Sequence, residues 1–196
     1  MVPRHNRETW RPLSPSRRCC IQAVYELRSS CYGVDMARIE FPETGMGEHV
    51  DWMMSRLPMA VGMGQFSEAV YGNTQLALRE REAARWTIAL INDCIVCQSS
   101  RAKDASSHRI DDPFYTEVAN WRTSDALSDR ERLCAEFAQR FALDHLAMDD
   151  DFWARLRTHF ADEEIADLTI CAGMFLGMGR ALAVMGVRAP DEPILI

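Results

Sequence analysis

The sequence predicts an all-α fold, a helical bundle, and three observations predict it. Apolar residues recur three and four positions apart, as on the buried face of a helix. Ser-, Asp- and Pro-led starts and Gly/Pro stops punctuate these periodic segments. No run of alternating apolar and polar residues is long enough to build a sheet.

The elements follow in order. Val50, Met53, Met54 and Leu57 give a helix over residues 48–57, stopped by Pro58. A short helix over 66–71 ends at Gly72-Asn73. From Arg79 to Ile91 the apolar set Ala83, Trp86, Ile88, Leu90 and Ile91 forms a broad face, interrupted by Asn92-Asp93. A further helix is expected from Cys94 to Ala105. Asp111-Asp112-Pro113 opens the next, with Pro113 suited to a first helical turn. Ser128-Asp-Arg-Glu131 is a capping box, in which serine and glutamate each satisfy an orphan backbone donor of the other. Asp149-Asp150-Asp151 caps a segment holding Phe152, Trp153 and Leu156, and Asp162-Glu163-Glu164 caps a last helix reaching Met185. Gly186 ends that helix, and Pro190 and Pro193 prevent its continuation. Gly173, Gly177 and Gly179 each weaken an exposed helix by roughly 1 kcal/mol relative to alanine. Their presence implies close approach of another backbone, either within the chain or at a subunit interface.

At 196 residues the chain accommodates one domain with a sizeable core. Its net charge of -7 argues against a nucleic-acid partner, which would want a basic face. The charge is uneven: residues 1–35 carry six Arg against Glu8, Glu26 and Asp35, hence +3, and the remainder carries -10. Residues 1–35 lack periodicity and include Pro3, Pro12 and Pro15. They read as an N-terminal extension, disordered or a mis-assigned start, ahead of a helical domain over 36–196. The arginines of the leader precede no long apolar run, and the stretch from Leu168 to Gly179 is too short for a membrane span. A cytoplasmic protein without a membrane or nucleic-acid partner is the expectation. Seven cysteines in that compartment are thiols or redox groups rather than a disulfide framework.

The pair Cys94-Ile-Val-Cys97 admits three readings. Zinc needs four ligands, and no second CxxC accompanies this one, while His108, His145 and His159 are scattered. Two core cysteines at i and i+3 are a second reading. A dithiol redox centre is the third, favoured by a position just after Asn92-Asp93 at an expected helix start, where unpaired N–H groups stabilise a thiolate. Cys134 and Cys171 sit among apolar neighbours and read as buried small hydrophobes. His145 reads as a cation at a helix end, the aspartate run at 149–151 as a cap rather than a calcium loop, and Trp52, Trp86, Trp121 and Trp153 as core or interface anchors.

Glu82 followed twelve positions later by Cys94-x-x-Cys97 resembles the signature of the CxxC-containing branch of the alkylhydroperoxidase D-like/carboxymuconolactone decarboxylase family. The segments Leu78-Arg-Glu-Arg-Glu-Ala-Ala-Arg, Ile91-Asn-Asp-Cys, Ser128-Asp-Arg-Glu-Arg-Leu, Phe141-Ala-Leu-Asp-His and Glu164-Ile-Ala-Asp-Leu-Thr are similar to it as well. The resemblance implies a homo-oligomer, a trimer or hexamer, that reduces hydroperoxides without a cofactor or metal. It implies that Cys97 attacks the peroxide and becomes a sulfenic acid, that Cys94 resolves it, and that Glu82 serves a proton relay. An external dithiol reductant then resets the pair. The family pattern has a histidine four residues after the second cysteine, where this chain has Arg101, expected one helical turn from Cys97 on the same face. Arginine stays protonated and cannot relay protons. Arg101 is therefore expected either to stabilise the Cys97 thiolate or to form a salt bridge with Glu82, with His108 as a spatial substitute for the histidine. The alternatives to a peroxidase or thiol–disulfide oxidoreductase are a carboxymuconolactone decarboxylase-like enzyme and a non-catalytic oligomeric binding protein that has lost the relay.

Overall fold

The computed structural model of the chain describes residues 37–189 and 192–196; the expected extension over 1–35, with Cys19, Cys20 and Cys31, lies outside the described residues. The described helices are α1 (Glu48–Met54), α2 (Leu57–Asn73), α3 (Leu78–Ile91), α4 (Ile95–Ser99), α5 (Asp112–Ala119), α6 (Asp129–Leu143), α7 (Asp150–His159) and α8 (Asp162–Met185). Single 3₁₀ turns occupy Ser106–His108 and His145–Ala147. A two-residue parallel ladder pairs β1 (Ser100–Arg101) with β2 (Ile194–Leu195).

The predicted helix starts are formed by the residues that predict them. Ser128 Oγ accepts the Glu131 N–H at 3.2 Å while Glu131 accepts the Ser128 N–H at 2.8 Å. Asp111 and Asp149 accept from Phe114 and Phe152 at 3.0 and 2.8 Å. Gly186 adopts a left-handed conformation at the end of α8, with φ 66°.

Two boundaries differ from the expectation. Pro58 does not stop a helix but lies in the first turn of α2, where a missing N–H costs nothing, so α2 runs 17 residues instead of six. The helix expected from Cys94 to Ala105 ends at Ser99. Ser100 takes an extended conformation there, and its hydroxyl donates back to the Val96 carbonyl at 3.0 Å. Side chains thus satisfy the last carbonyls of α4, and the backbone is released to pair with Ile194 and Leu195.

The core is organised around α3, which packs against α5, α6 and α8. Nine of its 14 residues are buried, including Glu80, Arg81, Glu82 and Arg85. A helix buried so fully must compensate its own charges. Arg130 on α6 does so at one end. Its guanidinium holds Glu80 on α3 and Glu164 on α8 at 2.5 Å each, donates to the His159 carbonyl, and lies 4.0 Å over the Phe160 ring. One arginine thereby ties together α3, α6, α7 and α8. Arg79 does the same on a smaller scale, bridging to Glu131 and to the carbonyl of Arg109.

By length and composition α8 is long and apolar enough to cross a membrane, with a mean hydropathy of 1.7, and it is longer than the Leu168–Gly179 run judged too short in the sequence. Leu168, Cys171, Ala172, Phe175 and Gly179 lie buried in the core, and 33% of the most apolar stretch of α8 is buried. The opposite side carries Ile170, Gly173, Gly177 and Val184 toward solvent. A Cβ added at Gly173 or Gly177 meets nothing within 4 Å, so these glycines serve no close packing within the described chain. Gly179 is the close one. A Cβ there would lie 2.6 Å from Nδ2 of Asn92 and 3.4 Å from Sγ of Cys97. The Asn92 amide cannot swing away freely, because it donates to the Phe175 and Leu176 carbonyls and accepts from Arg180. Gly179→Ala is expected to lower the thermal melting midpoint by several degrees relative to Gly173→Ala, measured by circular dichroism.

Candidate functional site

Cys94 and Cys97 sit where α3 hands the chain to α4. Asn92 caps α3, Asp93 turns in the left-handed region at φ 51°, and Cys94 becomes the N-cap of α4. The sulfur of Cys94 accepts the backbone N–H of Cys97 at 3.2 Å. The two cysteines form a disulfide, with their Cα atoms 5.2 Å apart. Cys94 is 1% exposed and packs with Val96 and Val187, with Trp52 and Phe41 against them. Cys97 is half-buried and lines a cavity of about 770 Å³. The two sulfurs are therefore bonded but unequal, one sealed and one facing open space.

Glu82 is fully buried one layer beneath the pair. Its carboxylate takes both arms of Arg85 at 2.8 Å each and the hydroxyl of Tyr115 at 3.1 Å. Arg85 also donates to the carbonyls of Cys97 at 2.6 Å and Ser100 at 3.3 Å. Glu82 thus reaches Cys97 through Arg85, its neighbour one turn along α3, and not through Arg101. The pairing raises the Arg85 pKa against the opposing effect of burial. Burial and then Glu82 raise that of Tyr115 to about 12.

Arg101 is placed differently from the expectation. Because α4 ends at Ser99, Arg101 belongs to β1 and is not one helical turn from Cys97. Its guanidinium lies 4.8 Å over the Tyr115 ring and 5.7 Å from that of Trp86. It donates to the Gln98 carbonyl at 2.6 Å and stands 4.0 Å from the exposed carboxylate of Asp112. The salt bridge to Glu82 is absent, since Arg85 already occupies that carboxylate. His108 is exposed in the 3₁₀ turn and does not line the cavity, so it does not substitute for the missing histidine.

Sequence reasoning missed four residues here. Arg85 had a readable signal, its i+3 spacing from Glu82. Tyr115, Arg81 and His49 had none, because tertiary packing alone brings them in. His49 on α1 lines the same cavity as Cys97. Its Nδ1 is buried without a hydrogen-bond partner among the described residues, and burial lowers its pKa. Burial thus favours its neutral form, against the opposing charge of Asp51. The cavity wall is otherwise mainly apolar, with Met63, Phe66, Met174, Phe175 and Met178. Cys134 and Cys171 are buried thiols, and burial raises the pKa of Cys134 well above normal and that of Cys171 to about 11.

Two outcomes follow. Glu82→Ala strands the Arg85 charge in the core and is expected to lower unfolding free energy by about 3–5 kcal/mol, read from urea denaturation. After reduction, iodoacetamide at pH 8 is expected to label Cys97 before Cys94 and to leave Cys134 and Cys171 unlabelled in peptide mass spectra. Both of the latter remain protonated at that pH, and both are buried.

No family model matches the chain. An uncharacterized protein of Escherichia coli (strain K12), YnjA, is 37% identical over 72 residues, which are 37% of this chain and 40% of that protein. Solved structures match far more of the length. A protein of unknown function from Agrobacterium tumefaciens, whose name proposes antioxidant defence as AhpD, superposes with a TM-score of 0.65 at 19% identity, covering 74% of this chain and 99% of its own. An uncharacterized peroxidase-related protein of Silicibacter sp. TM1040 gives 0.64 at 18% identity, covering 94% and 90%. An uncharacterized peroxidase-related protein of Ralstonia eutropha JMP134, described as an alkylhydroperoxidase AhpD core, gives 0.65 at 18%, covering 88% and 86%. The likeness embraces nearly the whole of those chains, and on it the all-α bundle described above is the alkylhydroperoxidase D-like fold.

Proposed function

We propose that the chain is a thiol-dependent hydroperoxide reductase of the antioxidant type, working through Cys94 and Cys97. The observation that carries this reading is the bonded pair with a single sulfur, that of Cys97, on an open cavity. In the reduced protein the Cys97 thiolate attacks the distal oxygen of a hydroperoxide. The O–O bond breaks, an alcohol leaves after taking a proton, and Cys97 becomes a sulfenic acid. The Cys94 thiol then attacks the Cys97 sulfur, releasing water and closing the disulfide. An external dithiol, attacking Cys97, displaces Cys94 and carries away the two electrons' worth of oxidation as its own disulfide. The Cys97 N–H directed at the Cys94 sulfur supports this last step, because it stabilises the leaving thiolate.

Glu82 contributes by fixing Arg85, which holds the Cys97 carbonyl, and thereby positions the nucleophile. With Glu82 ion-paired and Arg101 stacked on Tyr115, His49, which lines the cavity, is the candidate proton acceptor. Arg101 is a cation stacked on Tyr115 rather than a relay member. The reaction needs no metal or cofactor, and a reducing cytoplasmic setting suits the free thiols of Cys134 and Cys171. Exposed Leu57, Met59, Val61 and Phe66 on α2, together with the open glycine face of α8, support assembly into the trimer or hexamer implied by the resemblance.

A second reading is an oligomeric binding protein without turnover, favoured by Glu82 being locked to Arg85. A decarboxylase-like activity is not favoured, since it leaves the cysteine pair unused. One equivalent of hydroperoxide added to the reduced protein is expected to consume two thiols per chain, with Cys94→Ser accumulating the sulfenic acid and Cys97→Ser losing none. Equal thiol loss in wild type and Cys97→Ser would reject the peroxidase and leave the binding protein.

A further inference from the structure

The cavity that reaches Cys97 contains a buried cation that the redox chemistry does not use. Arg81 lies on α3 and is 6% exposed. Its Nη1 donates to the Tyr71 carbonyl at 2.6 Å, and its guanidinium stands 5.0 Å over the Tyr71 ring. Its Nε is buried with no hydrogen-bond partner, and no carboxylate comes within ion-pairing distance of it among the described residues. The two arginines of α3 that line the cavity contrast sharply. Arg85 is neutralised by Glu82 through a bidentate contact, whereas Arg81 has only a carbonyl and a ring face. The other ionisable side chains of the wall include Glu68, Lys103 and Asp104, which are exposed, and Ile196 lines it as well.

A charge taken out of water demands an opposite charge or a full set of hydrogen bonds. Buried unpaired arginines are placed to receive carboxylates, because the planar guanidinium matches a carboxylate with two parallel hydrogen bonds. Here much of the rest of the wall is apolar: Met63, Phe66, Met174, Phe175 and Met178 line the cavity together with Arg81 and Cys97. Methionine side chains adapt to chains of variable shape. Its volume, about 770 Å³, is that of a small-molecule site rather than of a pore for a diatomic-sized oxidant.

We propose that this cavity binds an amphipathic carboxylate, its acid group on Arg81 and its hydrocarbon along the methionine and phenylalanine wall. The inference rests on the peroxidase reading only for its consequence, which is that the hydroperoxide reduced at Cys97 is that of an apolar organic acid. Arg81 is then the residue that selects for the acid.

The binding step is measured without peroxide, on the full chain, by isothermal titration with sodium decanoate and with 1-decanol below their aggregation limits. Decanoate is expected to bind at least about tenfold more tightly than decanol, the worth of charged hydrogen bonds in a buried site. Arg81→Gln is expected to bring decanoate down to the affinity of decanol, and Lys103→Gln to preserve the preference. Equal affinities in the wild type, no binding of either, or a preference that survives Arg81→Gln or vanishes with Lys103→Gln would overturn the proposal. Should Arg81→Gln fail to fold, the wild-type comparison and Lys103→Gln decide alone. Loss of decanoate selectivity with intact thiol consumption removes this inference and leaves the peroxidase. Selective binding without thiol consumption does the reverse.

Discussion

The Glu82–Arg85 ion pair is the constraint on which the site depends. It is buried in the central helix, so neither charge can find water if the other is lost. A buried pair of this kind contributes little net stability compared with apolar residues of the same shape, and its justification lies in what else it holds. Here Arg85 spends its remaining donors on the carbonyls of Cys97 and Ser100. Those contacts, with the back-bonded Ser100 hydroxyl, end α4 after five residues and turn the chain into β1. The cysteine pair is short-helical because α3 beneath it carries a charge that needs those carbonyls.

The same economy appears two residues earlier on α3, at Glu80, where Arg130 gathers two carboxylates, a helix-end carbonyl and an aromatic face. The central helix is thus pinned through the carboxylates of its N-terminal half, and the apolar core of Val118, Leu133, Phe137, Phe152 and Leu168 packs around it. Against that pattern, three buried polar atoms among the described residues lack a partner, His49 Nδ1, Arg81 Nε and Trp86 Nε1, and the first two belong to residues that line the cavity. Local rules obeyed through most of a structure and broken at two residues of one cavity are a guide to where a ligand completes it.

Much of this architecture was legible in the chain. The caps at Ser128, Asp111 and Asp149 act through side chains within three residues, so short-range pattern reading finds them. The CxxC pair was legible for the same reason, as a spacing at a helix start, whereas Glu82 entered only through the family resemblance. What could not be read depended on distant partners. The end of α4 is set by Arg85 and by the pairing of Ser100 with Ile194, which lies 94 positions away. Pro58 carries the same local signal whether it ends one helix or begins the next, and only the packing of α2 distinguishes them. The glycines of α8 look alike in sequence, yet only Gly179 faces Asn92 and Cys97. His49 and Arg81 gain their meaning from a cavity, and a cavity has no one-dimensional signature.

The unequal burial of the two sulfurs also governs timing. With Cys94 sealed behind Val96 and Val187, every molecule that exchanges with this disulfide does so through the doorway at Cys97. Oxidant and reductant must take turns at one threshold, each departing before the next arrives, and a compound that lodges in the passage blocks both half-reactions together.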